Sequence, residues 1–460
     1  AYPSQAAEHC PKAGTTLGAA APDDLVVREL LHFGPSPGNE PVRGVLVRYL
    51  DPETLEPRVA TRVLSRLARA RRPDIAAIVL EQLRLHHLEV NAFHYSALLN
   101  AYAKGGDWLN ALTSLNAMAQ AQVELDTISF NAVISACESS GEWSQALCIL
   151  SSMVQAQVCK STITYNAAIS ACGTGCEWAA ALSLFGGMVA LRFETTIVTY
   201  SAAISACDKG GRWALALWFL ATMGGCCLNA DIIACSAAIS ACATCGEWAR
   251  ALDVFGSMLV GRVDPNTYTY NAAISACESG GAWAHALAFL RSMERRLVTM
   301  DTYTYSAAIS ASEKGQHLER AMELFSEMRV RVVTPTVVTY GAVLTACERG
   351  RQWELAVELF RGMEHDVVEL DVVACSALVS ACEKCCQWKW ALYVISAMSW
   401  LHLEPHVITF NAAVGACHAG RQWSRTLVSF DTMKSQGLKP SIVTCGVAIA
   451  SCERGMLWPR

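Results

Sequence analysis

The 460-residue sequence lacks the patterns that mark common catalytic sites: it contains no H-E-x-x-H, no G-x-S-x-G and no Walker loop. Charged residues make up only 17% of it, and the net charge of −5 lacks the basic excess that is typical of nucleic-acid-binding proteins. We therefore expect a chain that is not an enzyme and that uses neither a cofactor nor a small-molecule substrate. Any binding to a polyanion has to use a local surface.

Long uncharged runs are also scarce. The longest extends from Trp213 to Ala230 and approaches the length that spans a bilayer. It contains Gly224 and Gly225 and coincides with one unit of the repeat described below, which favours a buried helix. We predict no insertion into a membrane.

No secretory signal is recognisable, although the sequence holds 21 cysteines. This combination points to a reducing compartment in which thiols serve as small core residues. Residues 1–27 contain a single basic residue, Lys12, so a targeting segment is not evident in them.

What the sequence does contain is a repeat of 35 residues. With Ala92 as position 1 and Asp126 as position 35, ten units cover residues 92–441 without an insertion. Residues 57–91 fit as a degenerate unit, and residues 442–460 form a partial one. We expect residues 1–56 to be a separate N-terminal segment that is poorly ordered or partly helical. Met occupies position 27 of every unit, at 118, 153, 188, 223, 258, 293, 328, 363, 398 and 433.

Each unit shows two helical patterns. Positions 4, 7, 8 and 11 form one apolar stripe, as in Tyr270 and Cys277, and positions 17, 20, 21, 24 and 27 form another, as in Trp283 and Met293. A glycine pair such as Gly280–Gly281 ends the first helix. Neither helix can bury its stripe alone, so the units must stack. The Cys at position 11 and the Trp at position 17 are interpreted as packing residues.

Two C-x-x-C pairs have zinc-like spacing: Cys242 with Cys245, and Cys382 with Cys385. They lie four units apart, and stacking keeps such units from meeting. We therefore predict no metal site. Glu at position 12, as in Glu278, is interpreted as a decoration of a solvated helix end.

The unit length, the two helices, and Tyr at position 4, Ala at position 20 and Met at position 27 together resemble the pentatricopeptide repeat family in its P-type form. The resemblance covers about residues 57–460. The tetratricopeptide repeat, with its 34-residue unit, would drift by one residue per unit, and no drift occurs. The resemblance implies an all-α, right-handed α-solenoid superhelix that binds single-stranded RNA in a mitochondrion or plastid.

The resemblance further implies that positions 5 and 35 of one unit read one base. Nine of the ten residues at position 5 are Ser or Asn, which suits hydrogen bonding to a base edge. At position 35 an ordinary helix N-cap remains an alternative. The predicted pairs are Ser96 with Asp126, Asn131 with Ser161, Asn166 with Thr196, Ser201 with Asp231, Ser236 with Asn266, Asn271 with Asp301, Ser306 with Thr336, Gly341 with Asp371, Ser376 with His406, and Asn411 with Ser441.

Two further rows match the binding surface of the family. For the apolar row at position 2, base stacking and core packing are both open, and for the basic residues at position 13, phosphate contact and a solvated helix end are both open. The row at position 2 is Phe93, Ile128, Ile163, Val198, Ile233, Tyr268, Tyr303, Val338, Val373 and Ile408. The basic residues at position 13 are Lys104, Lys209, Lys314, Arg349 and Lys384.

The base preferences of the family imply a partial target, read 5′ to 3′ as G-C-(C/U)-G-A-U, three undetermined bases, and C. The undetermined bases belong to the units with Thr336, Gly341 and His406. The expected role is passive, in RNA processing, stability or translation, with other RNA-processing proteins as further partners. A protein-binding scaffold and a fragment of a larger RNA-processing enzyme are the alternatives.

Overall fold

The computed structural model describes residues 22–454 except 35–36, 50–56, 86–89, 227, 367, 369 and 401. Over these ranges it contains 25 helices and no β-strand. The first helices of the ten repeats are α5 (Ala92–Gly105), α7 (Thr127–Ser140), α9 (Thr162–Thr174), α11 (Ile197–Lys209), α13 (Ile232–Thr244), α15 (Thr267–Ser279), α17 (Thr302–Lys314), α19 (Val337–Gly350), α21 (Val372–Lys384) and α23 (Val407–Ala419).

A second helix follows in each repeat and begins at position 17, so the predicted pair of helices per unit is confirmed. These helices are α6 (Trp108–Gln120), α8 (Trp143–Gln155), α10 (Trp178–Ala190), α12 (Trp213–Gly225), α14 (Trp248–Val260), α16 (Trp283–Arg295), α18 (Leu318–Val330), α20 (Trp353–His365), α22 (Trp388–Trp400) and α24 (Trp423–Ser435).

Helices also form outside the ten repeats, in two pairs before them and as a single helix after them in the described residues. The segment assigned to residues 1–56 contains α1 (Pro22–Leu31) and α2 (Asn39–Tyr49), and the degenerate repeat contains α3 (Pro57–Arg69) and α4 (Pro73–Leu85). The partial repeat contains α25 (Ile442–Arg454). Residues 1–21 of the predicted N-terminal segment and residues 455–460 of the predicted partial repeat lie outside the described residues.

The chain divides into two compact units, one ending at Gly210 and the other beginning at Gly211. In the first unit α3, α5, α7, α9 and α11 each pack against the next. In the second unit α13, α15, α17, α19, α21, α23 and α25 do the same. Within each unit, a second helix packs against its own first helix and against the first helix of the following repeat; for α12 only the second of these contacts lies within one unit. The result in both units is the tandem stacking that is typical of an α-solenoid.

The core is built from the two stripes that the sequence predicts. Tyr270, Cys277 and Ala286 have no exposed surface, and every methionine at position 27 is at most 2% exposed. Full burial of one such side chain stabilises the fold by about 1.5–3 kcal/mol. Cys at position 11 is fully buried wherever it occurs in the ten repeats. The regular stripes therefore form one continuous core in each unit.

The uncharged run beginning at Trp213 forms α12, which ends at Gly225. Its Ala216 and Met223 are fully buried. Among the described residues, none of the helices combines the length and the apolar character needed to cross a bilayer.

The glycine pair after the first helix has two separate functions. The second glycine, as in Gly281 with φ of +63°, takes the left-handed conformation that closes the helix. The first glycine gives room to the tryptophan of the preceding repeat, as Gly280 does to Trp248. Gly315 occupies the same position in the next repeat, although Gln316 follows it, and a Cβ on Gly315 would lie 2.6 Å from Cδ1 of Trp283. The half-buried tryptophan thus packs against the backbone of the next repeat.

We predict that Gly315→Ala destabilises the protein by about 1–3 kcal/mol, because Trp283 has to move to admit the new methyl group. Gly256→Ala is the matched control, since a Cβ at this helical position meets no atom within 4 Å and alanine is favoured in a helix by about 1 kcal/mol. Chemical denaturation measures both changes. In a Trp283→Ala background the cost of Gly315→Ala should disappear, and a persistent cost would contradict the contact.

Candidate nucleic-acid interface

The residues at position 35 lie immediately before the first helix of the next repeat and act as its N-cap. Nine of the ten accept a hydrogen bond from the backbone N–H three residues on, as the carboxylate of Asp126 does from Ser129 at 2.8 Å. His406 is the exception. The N-cap alternative is therefore realised, and it holds these side chains at the helix N-terminus, where partial positive charge favours an acceptor.

The residue at position 5 lies about one turn after the start of the first helix of its own repeat. Asn131, Asn166 and Asn411 are half-buried, whereas Asn271 and Ser306 are 8% and 7% exposed. The other position-5 side chains are buried or half-buried, so this row lies deeper than the sequence suggests.

Two of the predicted pairs are in direct contact. Asn271 donates from Nδ2 to both carboxylate oxygens of Asp301, each 3.2 Å away, and Asn411 donates to Oγ of Ser441 at 3.2 Å. Burial acts to raise the pKa of Asp301, but hydrogen bonds from Thr304 and Asn271 outweigh it and lower the pKa below its ordinary value. Asp301 is therefore a charged acceptor at neutral pH.

Position 3 is a feature that the sequence reasoning missed. Its hydroxyl group bonds to the position-5 side chain of the preceding repeat, 33 residues earlier, as Thr164 does to Oδ1 of Asn131 at 2.6 Å. A recurrence of Ser or Thr at position 3 could have revealed it. The pairs are Ser96 with Ser129, Asn131 with Thr164, Asn166 with Thr199, Ser236 with Thr269, Asn271 with Thr304, Ser306 with Thr339, Ser376 with Thr409, and Asn411 with Thr444.

The apolar side chains at position 2 are all exposed. Their exposed fractions run from 56% at Tyr303 to 72% at Phe93. Core packing is thus excluded for this row. Since position 2 precedes position 5 by three residues, both side chains lie on one face of the helix, and the apolar side chain is nearer to the helix N-terminus.

The basic residues at position 13 lie at the opposite end of the first helix, about 16 Å from position 2 at 1.5 Å per residue. Three of them form ion pairs with Glu at position 12 of the preceding repeat: Lys314 with Glu278 at 3.2 Å, Arg349 with Glu313 at 3.0 Å, and Lys384 with Glu348 at 3.0 Å.

The prediction that Glu at position 12 is an exposed side chain at a solvated helix end is wrong. The side chains of Glu278 and Glu348 are 27% and 22% exposed, and that of Glu313 only 7%. Burial raises the pKa of Glu313, an effect that the charge of Arg349 opposes. Lys104 and Lys209 differ, because Ala68 and Gly173 occupy position 12 of the repeats before them.

The C-x-x-C pairs show no metal-binding arrangement. Cys242 is buried, and Cys245 donates from Sγ to the carbonyl of Gly211 at 3.2 Å. Burial, with a smaller contribution from Cys385, raises the pKa of Cys382 to about 12, so this thiol stays protonated at neutral pH. In the described part of the chain no group of three or more His, Cys, Asp or Glu side chains could hold a metal ion.

Two family models match the chain. One, described as a pentatricopeptide repeat-containing protein, matches residues 58–188, and the other, described as the pentacotripeptide-repeat region of PRORP, matches residues 232–394. Together the matched segments span more than half of the chain. A search of curated proteins finds no match.

One solved structure supports the same fold, and two further structures are similar at lower TM-scores. The chain is similar to the crystal structure of the pentatricopeptide repeat protein PPR10 from maize, with 18% identity over 95% of this chain and 72% of that one, and a TM-score of 0.57. PPR10 in complex with an 18-nucleotide psaJ RNA element has 17% identity, coverage of 94% and 84%, and a TM-score of 0.37. Yeast Rmd9p in complex with a 16-nucleotide target RNA has 9% identity, coverage of 95% of both chains, and a TM-score of 0.31.

Stacked helix pairs of constant length define a tandem helical-repeat protein of the α-solenoid class. The family models and the position-specific residues place it further: the chain belongs to the pentatricopeptide repeat family.

Proposed function

We propose that the chain binds single-stranded RNA along the N-terminal ends of its first helices, one nucleotide per repeat. The observation that carries this proposal is the row of ten exposed apolar side chains at position 2, which in every repeat but that of Gly341 shares a helix face with a polar side chain at position 5. Apolar groups in an exposed row at a constant interval favour a ligand with flat faces at the same interval.

The spacing of packed helices suits a base. Neighbouring helix axes lie about 8–10 Å apart, and stacked bases are about 3.4 Å thick. One base with a stacking contact on each face therefore fits between the position-2 side chains of successive first helices. Stacking of this kind contributes about 1–3 kcal/mol per base.

The polar side chains supply the selectivity. A base held between two position-2 side chains directs its edge towards positions 5 and 35, which lie at the same helix end. In the sixth repeat this edge meets the amide of Asn271 and the charged carboxylate of Asp301, which are already hydrogen-bonded to each other. We assign this repeat to U, in line with the base preferences of the family.

Family membership supports the cellular role. We propose passive action in RNA processing, stability or translation in a mitochondrion or plastid, with no catalytic step in this chain and with other processing proteins recruited. The match to the repeat region of PRORP favours one alternative, in which these repeats are the RNA-binding part of a larger processing enzyme. A protein-binding scaffold is the remaining alternative, which the net charge of −5 favours.

Selection from a randomised RNA pool, followed by binding assays with all four bases at each position, tests the proposal. We expect a single-stranded motif of about ten nucleotides with U at the sixth. The double substitution Asn271→Ser and Asp301→Asn should move that preference from U to A and leave the other positions unchanged.

The substitution Gly256→Ala, on an exposed face of α14, is the control and should leave every preference unchanged. No enrichment of any RNA at low salt would reject RNA binding and favour the scaffold. An enriched motif whose sixth base is indifferent to the double substitution would reject the base assignment alone.

The ion pairs at position 13 predict an uneven salt dependence. Lys104→Gln with Lys209→Gln should weaken RNA binding and reduce the slope of log affinity against log salt by up to about 0.7 per lost phosphate contact. Lys314→Gln with Lys384→Gln should change the slope by less than half as much, because these side chains already neutralise Glu278 and Glu348. Binding isotherms over a salt series measure both, and equal effects would contradict the prediction.

A further inference from the structure

We infer that the hydroxyl group at position 3 of the following repeat orients an Asn at position 5, so that Nδ2 is the group that this Asn offers to RNA. Position 3 is then a positioning residue for base selection, although its own side chain is fully buried, as at Thr164 and Thr339. The inference rests on the proposed RNA-binding function. The residue at position 3 affects base selection only through the side chain at position 5.

In repeats with Asn at position 5 the hydrogen-bond directions can be assigned. The backbone N–H of Ser161 donates to Oγ1 of Thr164 at 3.1 Å, and Oγ of Ser161 lies 3.0 Å from the same atom, so both lone pairs of Thr164 have donors available. The remaining contact, 2.6 Å to Asn131, has the length of an O–H···O bond and is shorter than a usual N–H···O bond. Thr164 therefore donates to Oδ1 of Asn131, and Nδ2 of Asn131 is turned away from it as a donor.

The same arrangement recurs at Asn166, where Oγ1 of Thr199 lies 2.7 Å from Oδ1 and accepts from the backbone of Thr196 at 3.1 Å. Asn271 gives an independent check. Its Nδ2 faces the carboxylate of Asp301, which is acceptor-only when charged, so its oxygen has to face Thr304, 2.6 Å away. The hydroxyl group of Thr304 shares its proton between this oxygen and Oδ1 of Asp301, 2.8 Å away.

The serines at position 5 differ among themselves. Ser129 donates to Asp126 at 2.7 Å, so Ser96 donates to Ser129. Thr269 donates to Asn266 at 2.9 Å, so Ser236 donates to Thr269.

At Ser306 and Ser376 the serine is the acceptor of the hydrogen bond from position 3. Ser306 donates its proton to the carbonyl of Thr302 at 2.8 Å, and Ser376 donates to Val372 at 2.6 Å. The threonine hydroxyl of the next repeat, 2.7 Å from Ser306 and 2.6 Å from Ser376, must then donate to the serine oxygen. One lone pair is left, so this serine offers an acceptor.

The chemistry of the bases matches the polarity of the Asn repeats. A donor from Asn suits the acceptor atoms of a pyrimidine, such as O2 of cytosine or uracil, and the repeats of Asn131, Asn166, Asn271 and Asn411 are assigned to C or U. Two repeats are followed by Ala at position 3: Ala374 follows Gly341, and Ala234 follows Ser201, whose hydroxyl group donates to the carbonyl of Ile197 at 2.8 Å.

The test uses the full chain and RNA oligonucleotides that carry each of the four bases at the second nucleotide of the selected motif. Thr164→Val is nearly isosteric and removes the hydroxyl group that orients Asn131. We expect discrimination against the non-preferred bases at this nucleotide to fall about tenfold, the equivalent of one hydrogen bond. Discrimination at the sixth nucleotide should persist, and Thr164→Ser should restore the wild-type preference.

Thr174→Val is the matched control, because Thr174 lies in the same helix but donates to the carbonyl of Ala171 at its far end. It should leave base preference unchanged. Circular dichroism shows whether each variant is folded, and Thr199→Val, which acts on Asn166, is the second variant if Thr164→Val unfolds.

A wild-type protein that prefers one base at this nucleotide, together with a folded Thr164→Val variant that keeps that preference within twofold, would overturn the inference and leave the proposed function intact. Failure of Thr164→Ser to restore the preference would overturn it as well. Absence of RNA binding by the wild type would instead refute the proposed function.

Discussion

Within each compact unit, the first helix of a repeat packs against the first helix of the next, and this contact buries the apolar stripe that neither helix of a repeat can bury alone. Tyr270, Ile274 and Cys277 have no exposed surface because of it. The contact also sets the interval at which surface groups recur. One extra residue inside a helix would rotate the residues after it by about 100° and move them out of both the core and the surface rows.

The candidate interface follows from how this stack ends its helices. Each first helix begins with backbone N–H groups that need acceptors, and the residue at position 35 supplies one. The same side chain lies beside position 5 of its own repeat and position 3 of the next. Helix capping and the proposed base reading therefore involve the same atoms, and Asp301 illustrates this: its carboxylate accepts from the backbone of Thr304 and from the amide of Asn271.

Charge is used differently at the two ends of the first helix. At the N-terminal end, polar groups bond to one another beneath an exposed apolar row. At the C-terminal end, Glu278, Glu313 and Glu348 pair with basic residues of the next repeat. Exposed ion pairs contribute little to stability, but the low exposure of Glu313 makes Arg349 important for neutralising its charge. Lys104 and Lys209 belong to the same row, but the repeats before them have Ala68 and Gly173 instead of Glu at position 12.

Much of the fold could be predicted from the sequence, because helix period, capping and burial depend on residues close together in the chain. The unit of 35 residues, the start of the second helix at Trp283 and the buried Met293 belong to this part. The exposure of position 2 was left undecided, since an apolar residue in the first turn is compatible with a core or a surface.

Only the tertiary structure decided the contacts between repeats. Thr164 bonds to Asn131 across 33 residues, Lys314 pairs with Glu278 across 36, and Trp283 packs on Gly315. Periodicity shows that such residues recur together, but their contact depends on the shift and rotation between stacked helices. The sequence by itself thus determined the repeat, its helices and its core, because local patterns encode them. The stacking decided which polar side chain orients which, because hydrogen bonds require atoms to meet within about 3 Å.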